Sequence, residues 1–239
     1  MKKLLALIFS GLCLQGFSNP EGRKIDSWYD QLQQTFSTIT NVEHFGESAI
    51  PGIYEVIFGG KAIYYYPEKD ILIFGEMFNK EGVSLTGSSL EQNRTKKRLE
   101  GFDSSKGLAL GDKDGIPIIE ILNPDCFYCR KADAYITQKM QTQKIRRIVF
   151  FSTDSDNSRS KANHIFCSEN PQQALAEILN NEVTTLLTCE EADQQSQRQQ
   201  AEVMKLGIDS TPGFILGETI ITGFKPEAID DYLESMASN

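Results

Sequence analysis

A small antiparallel sheet followed by a larger α/β domain, α+β overall, is the fold class the sequence predicts, and three observations predict it. Short runs rich in β-branched and aromatic residues, separated by turn pairs, occupy residues 42–85. A polar, highly charged stretch with few apolar anchors follows at 86–107. From Leu108 onward, buried-strand runs alternate with segments of helical periodicity.

The first element to justify is the start of the chain. Lys2 and Lys3 precede an apolar run from Leu4 to Leu14, which is too short to span a bilayer and suits a signal peptide. Gly16 and Ser18 place small residues at the −3 and −1 positions, so cleavage is expected after Ser18, with residues 1–18 as the signal peptide. Cys13 raises a lipoprotein reading, but Leu12 stands before it where a small residue is needed. Of the five cysteines, Cys126, Cys129, Cys167 and Cys189 remain after cleavage, an even number suited to an oxidising compartment. The net charge of −9 becomes more negative without Lys2 and Lys3, and no basic cluster appears, which argues against nucleic acid and anionic membranes as partners. No later apolar run is long enough to cross a bilayer.

Trp28, Leu32, Phe36 and Ile39 recur at helical spacing, predicting an amphipathic helix over 26–39. Residues 53–58, 62–66 and 71–74 read as strands, with Gly59-Gly60 and Pro67-Glu68-Lys69-Asp70 as the turns between them. One helix and a few strands make a module too small for a generous core, and such modules are often stabilised by a second copy. Residues 90–100 (LEQNRTKKRLE) read as an exposed linker helix, or alternatively as a solvated helix on a single domain. In the second half, 116–122 is a buried strand stopped by Asn123-Pro124, 126–143 a helix, and 144–151 a second strand. A helical region then runs from about 158 to 206, interrupted near 183–188. Strands at 213–216 and 219–222 and a closing helix at 226–236 complete the order of a thioredoxin-like domain with a helical insertion.

The chemistry is concentrated at Cys126-Phe127-Tyr128-Cys129, between a buried strand and a helix. Two intervening residues let the sulfurs meet within one helical turn, and they place Cys126 at the helix N-terminus, where unpaired N–H groups and the macrodipole favour a thiolate. A stabilised thiolate is an available nucleophile and a good leaving group, the requirements of thiol–disulfide exchange. Cys126 is therefore the expected attacking thiol and Cys129 the resolving one. The competing readings are half a zinc site or an inert structural disulfide. The only histidines are His44 and His164, and Cys167 and Cys189 lie at no common zinc spacing, so neither a metal nor another cofactor is expected. Asp125 places a carboxylate beside the nucleophile, which opposes the helix terminus. Thr211-Pro212, immediately before a strand, stands where thioredoxin-like proteins carry a cis proline against the cysteines, with the preceding residue aligning substrate backbone. Glu120, six residues before Cys126, fits the buried proton acceptor of a resolving cysteine and equally a glutamate at a strand edge facing water. Cys167 and Cys189, if paired, would stabilise the helical region by about 3 kcal/mol.

With these residues in place, the chain resembles the periplasmic disulfide isomerases of the DsbC/DsbG family over nearly all of its mature length. The segment from 42 to 78 (VEHFGESAIPGIYEVIFGGKAIYYYPEKDILIFGEMF) resembles that family's cystatin-like dimerisation domain. Cys126, Tyr128-Cys129 and Thr211-Pro212 match its site, and Cys167 and Cys189 fall at its structural disulfide with the same mutual spacing. The resemblance implies an N-terminal dimerisation domain (19–85), a linker helix (86–107) and a catalytic domain (108–239). It further implies a V-shaped homodimer joined through the N-terminal domains, misfolded or misoxidised exported proteins as substrates, and a membrane electron donor of the DsbD type that keeps Cys126 reduced. Phe127 departs from the family pattern, since the relatives have Gly or Pro there, and with Tyr128 and Asp125 it is expected to tune access and potential. The same chemistry would also serve a dithiol oxidase, and the extended N-terminal surface a chaperone or binding module.

Overall fold

The computed structural model describes residues 20–238, and side chains from Lys24 onward. The predicted signal peptide, residues 1–18 with Cys13, lies outside them. The chain divides into two compact units, one ending at Glu91 and the other beginning at Gln92.

In the first unit, helix α1 (Pro20–Thr35) precedes strands β1 (Val42–Glu47), β2 (Tyr54–Phe58), β3 (Lys61–Tyr66) and β4 (Ile71–Ile73). These form one antiparallel sheet in sequential order. The helix stops earlier than its periodicity predicts. Ser37 to Thr40 are poor helix formers, and Ile39 reaches the core from a turn whose N–H bonds Phe36 O. Strand β1 was not singled out from sequence because Glu43, His44, Gly46 and Glu47 dilute its β character. Between β2 and β3, Gly59 and Gly60 hold φ of 54° and 71°, the left-handed pair a two-residue hairpin turn requires. Leu32 of α1 packs on Val56, Ile63 and Tyr65, the inward alternation of β2 and β3. On the opposite face, Tyr64 and Glu55 hydrogen-bond Thr86 and Ser89 at the start of helix α2 (Leu85–Glu100).

The second unit is a five-stranded sheet in the order β5-β7-β6-β8-β9. Its strands are β5 (Leu108–Gly111), β6 (Ile116–Leu122), β7 (Ile145–Phe151), β8 (Gly213–Leu216) and β9 (Thr219–Thr222). Strands β6 and β7 are parallel and joined through helix α3 (Phe127–Lys139), while β5, β8 and β9 pair antiparallel. Helices α4 (Asp156–Cys167), α5 (Pro171–Leu179) and α6 (Ala192–Leu206) form the insertion, and α7 (Pro226–Ala237) closes the chain. This is the predicted class, an antiparallel-sheet unit followed along the chain by a thioredoxin-like fold with a helical insertion. Alternation assigns the faces. Ile118 and Leu122 of β6, with Ile145, Val149 and Phe151 of β7, face α3, α4, α5 and α7. Ile121 and Phe150 face α6, with Leu99 and Phe102 beside them. Each fully buried side chain of this size contributes about 1.5–3 kcal/mol. No helix among the described residues is long and apolar enough to cross a membrane.

Candidate active site

Because β6 and β7 are parallel and in register from Ile116↔Ile145 to Leu122↔Phe151, both end at the same edge of the sheet. The segment after β6 (Asn123-Pro124-Asp125-Cys126) and the segment leading into α4 therefore emerge side by side, at the carboxyl ends where α/β folds place their ligands. Ser152 N–H bonds Leu122 O, and Asn123 Nδ2 bonds Asp154 Oδ1 at 2.9 Å. Strand β8 starts opposite Ile121, which brings Thr211 and Pro212 to this same edge.

Cys126 is not the first residue of α3 but its N-cap, with φ −84° and ψ 123°. Its Sγ accepts the Cys129 N–H at 3.2 Å and donates to Thr211 O at 3.3 Å. The helix end thus supplies an N–H donor to the half-buried sulfur, and the partial positive charge there favours an anion. The Thr211–Pro212 peptide is cis. Cys129 is fully buried and accepts the Asn123 N–H at 3.5 Å. Burial pushes its thiol well up, Cys126 adds to the rise, and the Asn123 N–H and Thr211 only partly oppose it. The two sulfurs therefore sit in contrasted settings, one accessible at a helix terminus and the other enclosed.

The residues expected to tune the site surround Cys126. Phe127 and Tyr128 are exposed and meet edge to face at 5.5 Å, with Lys131 Nζ over both rings at 4.9 and 5.6 Å. Asp125 Oδ1 accepts from Lys161 Nζ at 2.5 Å and from Asn157 Nδ2 at 2.7 Å. Cys167 and Cys189 are joined in a disulfide that ties the end of α4 to the segment before α6.

Glu120 is completely buried, so the water-facing reading of this residue is set aside. It shares the inward alternation of Ile118 and Leu122, and its two carboxylate oxygens take Arg147 Nε at 2.6 Å and Nη2 at 2.8 Å. Arg147 Nη1 pairs with Asp133 Oδ1 of α3 at 2.8 Å. Burial pushes the Glu120 carboxyl up against the pull of Arg147, and Asp133 adds to the rise. Arg147 and Asp133 were missed from sequence, although a signal was present. Ile145, Arg147, Val149 and Phe151 share one face of a buried strand, so the arginine must point into the core and needs carboxylates there. Lys161 and Asn157 carried no such signal, since nothing in the sequence says what their helix face meets.

Residues 23–87 match the family described as the disulfide bond isomerase protein N-terminal domain. The match covers the first unit, which is therefore similar to the N-terminal domain of disulfide bond isomerases, and a thioredoxin-like fold follows it in the chain. Among solved structures, a linker-deletion mutant of Proteus mirabilis ScsC is similar with a TM-score of 0.54 and 15% identity, over 63% of this chain and 86% of that one. The thiol-disulfide exchange protein α-DsbA2 from Wolbachia pipientis is similar with a TM-score of 0.51 and 14% identity, over 61% of this chain and 97% of that one. Proteus mirabilis ScsC in a transitional conformation also reaches 0.51, at 14% identity, over 63% of this chain and 86% of that one. At these identities the likeness is one of fold. No curated protein matches the sequence.

Proposed function

We propose that this protein isomerises or reduces non-native disulfides in exported proteins, with Cys126 as the attacking thiol. The observation that carries the reading is the convergence of an accessible sulfur at a helix N-cap, a buried second thiol and the Thr211 carbonyl at one sheet edge. The isomerase N-terminal domain favours isomerisation over net oxidation. The Cys126 thiolate attacks a substrate disulfide, one S–S bond forms and one breaks, and a substrate thiolate leaves. A second substrate thiol then attacks the mixed disulfide and releases Cys126 with no net change in electrons. If Cys129 attacks instead, the Cys126–Cys129 disulfide forms and the substrate leaves reduced, so two electrons must come from an external dithiol donor such as a membrane protein of the DsbD type. Thr211 and Pro212 position the substrate backbone. Glu120, held by Arg147, is the proposed acceptor of the Cys129 proton. Glu120→Gln is expected to slow release by Cys129 while leaving the first attack by Cys126 unchanged.

The same proposal places the protein in the periplasm as a homodimer. Strand β4 is an edge of its sheet, and Ile71, Ile73, Phe74, Phe78 and Val83 around it are exposed. An unpaired edge bearing large apolar side chains is suited to pairing with a second copy.

The test is refolding of scrambled ribonuclease by the reduced protein, beside Cys126→Ser. Recovered activity that needs Cys126 supports the isomerase reading. Oxidation of reduced ribonuclease without recovery of the scrambled form would replace it with a dithiol oxidase, and aggregation suppression without any exchange would replace it with a chaperone.

A further inference from the structure

We propose that Lys161 sets the reactivity of Cys126 by holding and neutralising the Asp125 carboxylate, which makes the helical insertion a tuning element of the thiol site. The inference rests on the assignment of Cys126 as the attacking thiol. A carboxylate on the residue before a nucleophilic sulfur opposes the sulfur's negative charge. Here that carboxylate is not left bare. Asn157 and Lys161 lie one turn apart on α4, on one helix face, and both donate to Asp125 Oδ1. The pair is partly sheltered, with side-chain exposures of 20% for Lys161 and 35% for Asp125, so solvent screens it less than an open surface pair. Burial alone would raise the Asp125 carboxyl, but the Lys161 and Asn157 donors outweigh it and hold the carboxyl below its ordinary value. The negative charge is therefore present throughout the neutral range, and Lys161 is the cation bonded to it.

The other charged groups at this edge are otherwise engaged. Arg130 Nε donates to Leu179 O, and Lys131 lies over the Phe127 and Tyr128 rings. Asp154 accepts from Asn123 and Ser158, and Arg159 pairs with Asp156. The position of Lys161 is set by the fold. Parallel β6 and β7 bring α4 to the cysteine loop, and Ser155 and Ser158 cap its first turn reciprocally. Lys161 is a positioning and neutralising residue, and it acts on Cys126 only through Asp125.

The experiment measures Cys126 alkylation by iodoacetamide from pH 5 to 9, with the modified residue mapped by mass, in the reduced wild type, Lys161→Met, Asp125→Asn and the double variant. Thermal unfolding of all four is recorded alongside. Lys161→Met is expected to slow alkylation about three- to tenfold at pH 7 and to move the pH profile upward, because the bare carboxylate opposes the thiolate. It also shifts the equilibrium with glutathione toward the Cys126–Cys129 disulfide, since a destabilised thiolate disfavours the reduced form. Asp125→Asn is expected to speed alkylation, and the double variant to return to within about twofold of the wild type. A Lys161→Met protein that melts earlier but keeps the wild-type profile would overturn the inference, as would a double variant that stays slow. Failure of Cys126 to react in every variant, the wild type included, would overturn the assignment of the attacking thiol instead.

Discussion

In the four-stranded sheet, the largest departures from ordinary burial lie on the outside. Phe74 is 74% exposed and Phe78 59%, beside an edge strand carrying Ile71 and Ile73. In the five-stranded sheet they lie on the inside, where Glu120 and Arg147 are at most 1% exposed and Asp133 is buried with them. The first sheet leaves apolar side chains uncovered beside its edge and, of the charged groups among the described residues, encloses only the Ser89-bonded Glu55, whereas the second encloses a cation between two carboxylates. Exposed apolar groups at a sheet edge are a surface for a partner, whereas enclosed charges serve something within the domain. The difference separates the proposed assembly role of the first unit from the proposed chemical role of the second.

The largest effect is expected from breaking the enclosed charges. Arg147→Met leaves Glu120 and Asp133 buried without their cation, and urea unfolding should show a loss of about 3–5 kcal/mol. Replacing all three by apolar residues, Glu120→Leu, Asp133→Leu and Arg147→Met together, should recover most of that stability while leaving Glu120's proposed proton role unfilled. A single-variant loss below about 1 kcal/mol would show that the carboxylates find other partners. Next in size is the disulfide. Cys167→Ala with Cys189→Ala should cost about 3 kcal/mol in the same measurement. Reactivity of Cys126 should persist in the folded fraction, because the bridge lies at the far end of α4 from Asn157 and Lys161.

Much of the fold and of the cysteine site was legible before the structure, but not this contrast. The α/β order, the hairpin at Gly59-Gly60 and the Cys126–Cys129 site all rest on local signals, namely periodicity, turn chemistry and a short motif. What was not legible depends on pairings between distant segments. Glu120 alone fitted either a buried or a solvent-facing position, and only the parallel register with β7 and the packing of α3 bring Arg147 and Asp133 to it. Lys161 and Asn157 are ordinary polar residues on an amphipathic helix until α4 is set beside Asp125. Strand β1 was obscured for a different reason. Its residues are mostly polar, and its place is fixed by the ladder with β2 rather than by its own propensity.

The comparison is sharpened by weakening the outer surface of the first sheet. Ile73→Lys with Phe74→Ser should leave the fold of the unit unchanged to within about 0.5 kcal/mol, because both side chains are already exposed in the single chain. The same pair should shift the protein from dimer to monomer in sedimentation, with isomerisation lost before simple exchange of small disulfides. A monomeric wild type, or a variant that stays dimeric, would remove the assembly role from this edge.

The smallest effect is expected at Asp125, where enclosed and exposed regimes meet. Its folded carboxyl lies below the ordinary value of 3.8, held there by Lys161 and Asn157 against burial. A carboxylate lowered on folding adds stability that is fully present above its unfolded value and is lost as the pH falls through the folded one. Because the side chain is about a third exposed, solvent screens the contribution, and it is smaller than either of the buried effects. Thermal unfolding of the wild type and Asp125→Asn should therefore differ by a small, constant amount from pH 7 down to about 4, and the two curves should converge below 3.8. A gap that persists to the most acid pH at which the fold survives would show that the difference does not come from the titrating charge, because asparagine and the protonated acid offer α4 the same carbonyl acceptor.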